Sequence, residues 1–135
     1  MTVPPYEISI AIQSSDIDDQ GHVNNVVYVR WVQDVAVAHW ASAATADEQA
    51  QVAWVVLRHE IDYKAPALPG DAIIARTWVG TAARYKFERL TEIRRESDGK
   101  VLVNARTLWC PMSRQTGKLT RPSDEMRARF SKGPA

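Results

Sequence analysis

The segment covering residues 26–44 leaves few folds open. Its apolar positions are Val26, Val27, Val29, Trp31, Val32, Val35, Ala36, Val37, Ala38, Trp40 and Ala41. They run almost all the way round a helix and leave a thin polar stripe at Arg30, Gln33 and Asp34. A helix that lies on a surface keeps a polar face, so one that is apolar on nearly every side is expected to be buried. Arg30 and Asp34 interrupt the run, so it is not a membrane span. Asn24 or Asn25 marks its start as N-cap. The stretch ahead of it, Ser15-Asp16-Ile17-Asp18-Asp19-Gln20-Gly21-His22-Val23-Asn24-Asn25, is polar, carries three aspartates around one glycine, and reads as a loop. Carboxylates are thereby delivered to a helix amino end, where backbone donors and the positive end of the dipole lie.

The rest of the chain supplies the cover. Residues 7–14 alternate, with Ile8, Ile10 and Ile12 on one side, and predict a strand. Residues 43–51 are small and polar, a turn or a second helical piece. Residues 52–64 predict a long strand with Val55, Leu57, His59, Ile61 and Tyr63 on one face and Arg58, Glu60 and Asp62 on the other. Two prolines and a glycine make 65–71 a turn. Three more β-rich segments follow at 73–79, 84–95 and 101–110, the last two joined at Asp98-Gly99, a pair suited to a tight primed turn. Thr116-Gly117-Lys118 is another turn, and Ser123 caps a short final helix with Met126 and Phe130 as its apolar pair. The order is strand, long helix, then four strands in antiparallel succession: an α+β chain in one domain, 1–135. One sheet face cannot bury every side of such a helix, so a second subunit or the sheet's own curvature must cover the remainder.

Several functions are excluded early. A formal net charge of +1 gives no basic surplus for neutralising phosphates, which argues against nucleic acid as a partner. One cysteine, Cys110, permits neither an internal disulfide framework nor a cysteine metal site, and reads as a small hydrophobe in a strand. The first residues, 1–7, lack the basic start and apolar run of a signal peptide, so a soluble cytoplasmic protein is expected. Asp16, Asp18, Gln20 and Gly21 fit the opening positions of a calcium loop, but its twelfth position, which needs a bidentate Glu, is Val27. His22, His39 and His59 are too scattered for metal-ligand spacing, so no metal is expected. His39 reads as a polar tip of the helix, His59 as a satisfied core histidine, and His22 stands out only because it adjoins the loop glycine. No Gly-x-Ser-x-Gly, P-loop or dinucleotide fingerprint occurs. What remains is a carboxylate near a helix amino end. An aspartate there can serve as nucleophile or general base while backbone N–H groups hold an oxyanion, which suffices for ester or thioester hydrolysis. Without further information an aspartate in such a loop is more often a cap or turn former.

The further information is a motif. Asp16-x-Asp18-x-x-Gly21-His22-Val23-Asn24-Asn25-x-x-Tyr28 resembles the signature of hotdog-fold acyl-CoA thioesterases of the 4-hydroxybenzoyl-CoA thioesterase type. The resemblance continues in Ile61-Asp62-Tyr63-Lys64-Ala65-Pro66, Gly70-Asp71, the strand pair around Gly99 and the 116–118 turn. It implies a curved antiparallel sheet wrapped around a long central helix, with subunits joined sheet edge to sheet edge as a homodimer and commonly paired again into a tetramer. It also implies an acyl-CoA substrate and no metal or redox cofactor. Asp18 matches the family's catalytic carboxylate, attacking the thioester carbonyl or activating a water. Asn25 matches the residue whose backbone N–H polarises that carbonyl. Gly21 lets the loop turn tightly, His22 is a further candidate beside it, and Asp16 shapes the loop. The form Gly-His-Val-Asn-Asn also resembles plant-type acyl-ACP thioesterases, whose loop Asp, Asn and His are proposed to cooperate; here Asp18 and His22 match but the Asn position is Gln20. The central helix carries Gln33, next to Asp34, where members often have an acid. For the CoA moiety the matching stretch offers Arg84, Lys86 and Arg89, with Arg58 and Lys64 nearby. Arg84 and Lys86 are the expected substrate-binding pair, against the simpler reading of exposed strand charges that keep an edge soluble. A hotdog dehydratase, needing a paired Asp and His, fits the motif less well, and a hotdog dimer that binds an acyl thioester or a partner without turnover is the rival from outside enzymology.

Overall fold

A computed structural model of the chain describes residues 4–131, so the start of the 1–7 stretch, read above as lacking a leader, lies outside the described residues. The elements are β1 (Tyr6–Ala11), a single 3-10 turn (Ser14–Asp16), α1 (Asn25–Ala43), α2 (Ala46–Gln51), β2 (Val52–Tyr63), β3 (Ala72–Ala82), β4 (Phe87–Arg95), β5 (Val101–Ser113) and α3 (Asp124–Phe130). The strands form one antiparallel sheet in the order β1-β3-β4-β5-β2. The four later strands are therefore not in simple succession. β2 crosses to the far edge and pairs with β5 from Val52↔Ser113 to Tyr63↔Val103, leaving β3 to pair with β1.

Helix α1 holds six valines, whose β-branched side chains lose rotamer freedom in a helix and make it a weak helix former by propensity. Its stability is tertiary. Val27, Tyr28, Trp31 and Val35 pack with Ala67, Ile73, Ala75, Ile93, Leu102 and Val103, and large side chains buried this fully contribute roughly 2 kcal/mol each. Asn24 caps the start, its side-chain oxygen accepting from the Val26 N–H at 3.1 Å. The sheet covers one side of α1 only. Val26 and Val37 remain 70% and 59% exposed, so the all-round burial expected from the sequence is not met within one chain. A second cluster at the other end of α1 gathers Val52, Val79, Phe87, Met126 and Phe130, with Trp40 and Trp54 packed against it.

Local details depart from expectation for identifiable reasons. On β2 the alternation is broken by a bulge between Val56 and Arg58. Val55 and Leu57, read as sharing a face with Ile61, are exposed, whereas Trp54 packs inward before the bulge and Ile61 after it. The hairpin at Asp98-Gly99 forms, but Gly99 alone has positive φ (70°) there, so the connection is a longer loop closed by Arg95 and Lys100 and not a primed two-residue turn. His39 is buried, not a polar tip: its ring is stacked on Tyr6 and edge-on to Phe130. His59 is half-buried and hydrogen-bonded to Thr107 Oγ1 at 2.9 Å. Cys110 is a buried free thiol, as expected.

Candidate active site

The aspartate loop closes on itself before it reaches α1. An isolated bridge joins Ile17 to Val23, the Asp18 N–H donates to the His22 carbonyl at 2.8 Å, and the Gly21 N–H donates to the Asp18 carbonyl at 3.1 Å. This tight turn needs Gly21, whose φ is +79°. A Cβ built there would meet no atom within 4 Å, so the requirement is conformational and not one of space.

The loop-shaping Asp16 and the catalytic candidate Asp18 have different partners. Asp16 is 1% exposed and fully engaged: Oδ2 accepts from the Gln13 N–H and Oδ1 from Arg30 Nη2, both at 2.9 Å, while its carbonyl accepts from the Asn24 N–H at 2.9 Å. Burial opposes its ionisation, but the Gln13 amide and the Arg30 guanidinium outweigh burial and hold the carboxyl below its usual range. Asp16 thus ties the loop to α1, in keeping with a loop-shaping group. Asp18 is half-buried. Its Oδ1 accepts from the Gln20 and His22 N–H groups at 2.9 and 3.2 Å, and Oδ2 has no partner among the described residues. Two backbone amides therefore fix the orientation of one oxygen and leave the other open.

Beside it stands the first residue of α1. The first N–H groups of a helix have no intrahelical acceptor. Val26 is satisfied by the Asn24 cap and Val27 by the Asn24 carbonyl, whereas the Asn25 N–H has no acceptor among the described residues. Asp18 and Asn25 line one cavity of about 430 Å³ together with Gln20, His22, Val23, Asn24, Tyr28, Tyr63, Lys64, Ala65 and Pro66. The far wall is fastened to the helix: Tyr28, 2% exposed, accepts from the Ala67 N–H at 2.8 Å, and the Tyr63 hydroxyl donates to the Asn25 carbonyl at 3.2 Å. Burial pushes the Tyr28 phenol above its ordinary value, so it stays neutral.

The structure thus brings together Asp18, Gly21, His22 and Asn25. Arg84 and Lys86 are exposed on the loop joining β3 to β4 and do not line this cavity; Lys64 is the cation that does. Arg89 lies apart from both, buried under the far half of α1. Tyr63 and Lys64 reach the site through the crossing of β2, a long-range contact with no local sequence signal.

This geometry sits in a fold shared with known proteins. Residues 12–130 match the family model described as the thioesterase-like superfamily. A chloroplastic acyl-[acyl-carrier-protein] hydrolase of Cuphea viscosissima is 30% identical over 74 residues, covering 55% of this chain and 18% of that protein. The chain spans less than a third of the length of the curated relatives it matches. Among solved structures, a 1,4-dihydroxy-2-naphthoyl-CoA thioesterase from Synechocystis superposes with a TM-score of 0.79 at 16% identity, covering 93% of this chain and 94% of that one. A thioesterase from Thermus thermophilus, complexed with coenzyme A and Zn, gives 0.79 at 19% identity over 92% and 90% of the two chains. The matched length makes the chain a member of the thioesterase-like superfamily, and the sheet order with its central helix is the hotdog fold of these structural neighbours.

Proposed function

We propose that the protein is an acyl-CoA thioesterase of the 4-hydroxybenzoyl-CoA type, with Asp18 as nucleophile or general base and the Asn25 backbone N–H as oxyanion donor. One observation carries this reading: Asp18, with one carboxylate oxygen open, and Asn25, with its N–H unpartnered, line a common cavity at the positive end of α1. The Asp18 carboxylate attacks the thioester carbonyl, or takes a proton from a water that does. Negative charge then gathers on the carbonyl oxygen, where the Asn25 N–H donates to it. Collapse breaks the C–S bond and expels the CoA thiolate, which takes up the proton released from water. The water route gives the carboxylate directly, and the nucleophilic route gives an Asp18 acyl anhydride that a water then hydrolyses to the carboxylate. Gly21 holds the turn that aims Asp18, and the His22 N–H helps orient the carboxylate. Arg84 and Lys86 are proposed to meet the phosphates of CoA from the exposed β3–β4 loop. A fold neighbour solved with coenzyme A supports the CoA substrate class.

The working unit is proposed to be a homodimer. β2 is a long sheet edge with Val55 and Leu57 exposed, and Val26 and Val37 are bare on α1. Such an edge pairs with another chain unless protected, and a second copy covers the part of α1 that the sheet does not.

The deciding experiment is thiol release from short, medium and aromatic acyl-CoAs by wild type and Asp18→Asn. Loss of at least ~10²-fold in kcat with unchanged fold and oligomer is expected. Equal rates for the two proteins refute the assignment of Asp18. Binding without release by wild type favours the non-catalytic rival. The acyl-ACP hydrolase relatives motivate a parallel arm with acyl-ACP; a higher kcat/KM there than for any acyl-CoA reassigns the substrate carrier.

A further inference from the structure

The far half of α1 covers a second cavity with different chemistry. It has a volume of about 220 Å³, and its walls include the aromatic rings of Trp40, Trp54, Phe87, Trp109 and Phe130. At the helical rise, Trp40 lies roughly 22 Å along the axis from Asn25, so within one chain this cavity is separate from the Asp18 site.

Its one buried charge is Arg89, 8% exposed on the inner face of β4, where the pleat otherwise points Phe87, Thr91 and Ile93 at the helix. The described hydrogen bonds of this guanidinium all leave from Nη1: to His39 Nδ1 at 2.9 Å and to Thr77 Oγ1 at 3.3 Å. Both acceptors are neutral. Among the described residues Arg89 has no carboxylate partner, although Arg30, Arg95, Arg106 and Arg129, all less buried, have one. A buried guanidinium without a counter-charge is costly. The cavity lining holds no acid; its second charged residue, Arg114, is another cation. Two of its indoles, Trp54 and Trp109, also have Nε1 donors without an acceptor. The site is thus rich in donors and poor in acceptors, and a ligand must bring the missing charge. Burial lowers Arg89 only to about 10, so it remains a cation at neutral pH, and the same burial together with Arg89 lowers His39 to about 4 and keeps it an uncharged acceptor.

We propose that this cavity binds a small organic acid whose carboxylate pairs with Arg89 and whose apolar body lies against Trp40, Trp54, Phe87, Trp109 and Phe130. The volume suits one ring and a short arm, since an apolar cavity of about 150 Å³ already accepts benzene. A planar guanidinium with free N–H groups recognises a carboxylate through paired, charge-assisted hydrogen bonds, and aromatic walls around the pair exclude water and strengthen it. The proposal does not depend on the role of Asp18.

The test uses the full chain and isothermal titration with benzoate, 3-phenylpropionate and octanoate, each against its neutral primary amide. At least one acid is expected to bind tenfold or more tightly than its amide. Binding is expected to shift the indole Nε1–H resonances of Trp54 and Trp109 in ¹H–¹⁵N spectra, with the Asn25 amide unmoved. Arg89→Met is expected to bring the acid down to the affinity of the amide; should that variant fail to fold, the acid-to-amide ratio in wild type decides alone. Equal affinity of acid and amide, no binding by any of the three acids, or shifts at Asn25 in place of the indoles each overturn the proposal.

Discussion

The His39–Arg89 pair makes stability depend on pH in a window that few other groups occupy. His39 is 6% exposed, stacked on Tyr6, edge-on to Phe130 and bonded to a cation. Burial first, and the Arg89 charge second, lower its pKa from 6.5 to about 4. In the unfolded chain the imidazole takes up a proton near pH 6.5; in the folded protein it stays neutral to about pH 4. Between those values the unfolded state binds more protons, so stability is fully present above pH 6.5 and is lost as pH falls. At 1.36 kcal/mol per pH unit, acidification from pH 7 to pH 5 removes about 2 kcal/mol. The carboxylates that folding depresses, Asp16, Glu48, Asp71 and Asp98, start from ordinary values of 3.8 to 4.5 and so act mainly below this window. The assay is urea unfolding at fixed protein concentration at pH 7 and pH 5, for wild type and His39→Gln, whose amide keeps an acceptor for Arg89 and does not titrate. With a slope near 2 kcal/mol per molar, the wild-type midpoint should fall by roughly 1 M more than that of the variant. Equal falls, or an NMR titration of His39 near 6.5 in the folded protein, refute the reasoning. His59, also lowered by burial, is present in both proteins and cancels in the comparison.

Three further perturbations probe the aspartate loop and the CoA contacts. Gly21→Ala forces an L side chain into φ +79° and should cost about 1 kcal/mol in urea unfolding, with a larger proportional fall in kcat because Gln20 and His22 cease to hold Asp18; a stability loss with unchanged kcat separates the turn from catalysis. Asp16→Ala strips the Gln13 amide and Arg30 of their acceptor and should lower unfolding free energy by about 2 kcal/mol, read from the same curves. Arg84→Gln with Lys86→Gln should raise KM for acyl-CoA several-fold, leave kcat in place and flatten the salt dependence of KM; unchanged KM marks these as surface charges only.

Much of the fold is legible in the sequence because it rests on local chemistry. The Val-rich run, the Asn24 cap, the alternating strands, the Asp98-Gly99 loop and the Ser123 cap each carry their cause within a few residues, and each element forms near its expected place. Asp16 as a loop former is legible for the same reason, since Gln13 and Asn24 are near neighbours. The strand order is not. Nothing in residues 52–64 tells β2 to pair with β5 and not with β3, because that choice is made by the sheet closing over α1. The face read as continuous from Val55 to Tyr63 is split since a single bulge reverses the alternation, and a bulge leaves no mark on a period-two pattern.

The division between the two levels is sharpest at the two cavities. By itself the sequence determined a carboxylate loop ending at a helix amino end, and a motif that singles out Asp18 and Asn25. The tertiary structure decided what shares the cavity with the open Asn25 amide, since Tyr63 and Lys64 reach it only through the crossing of β2. It alone decided Arg89, which in sequence is one of several cations and in the fold is a buried charge facing His39 from 50 residues away. A charge is costly or harmless according to what surrounds it, and its surroundings are assembled only when distant segments pack.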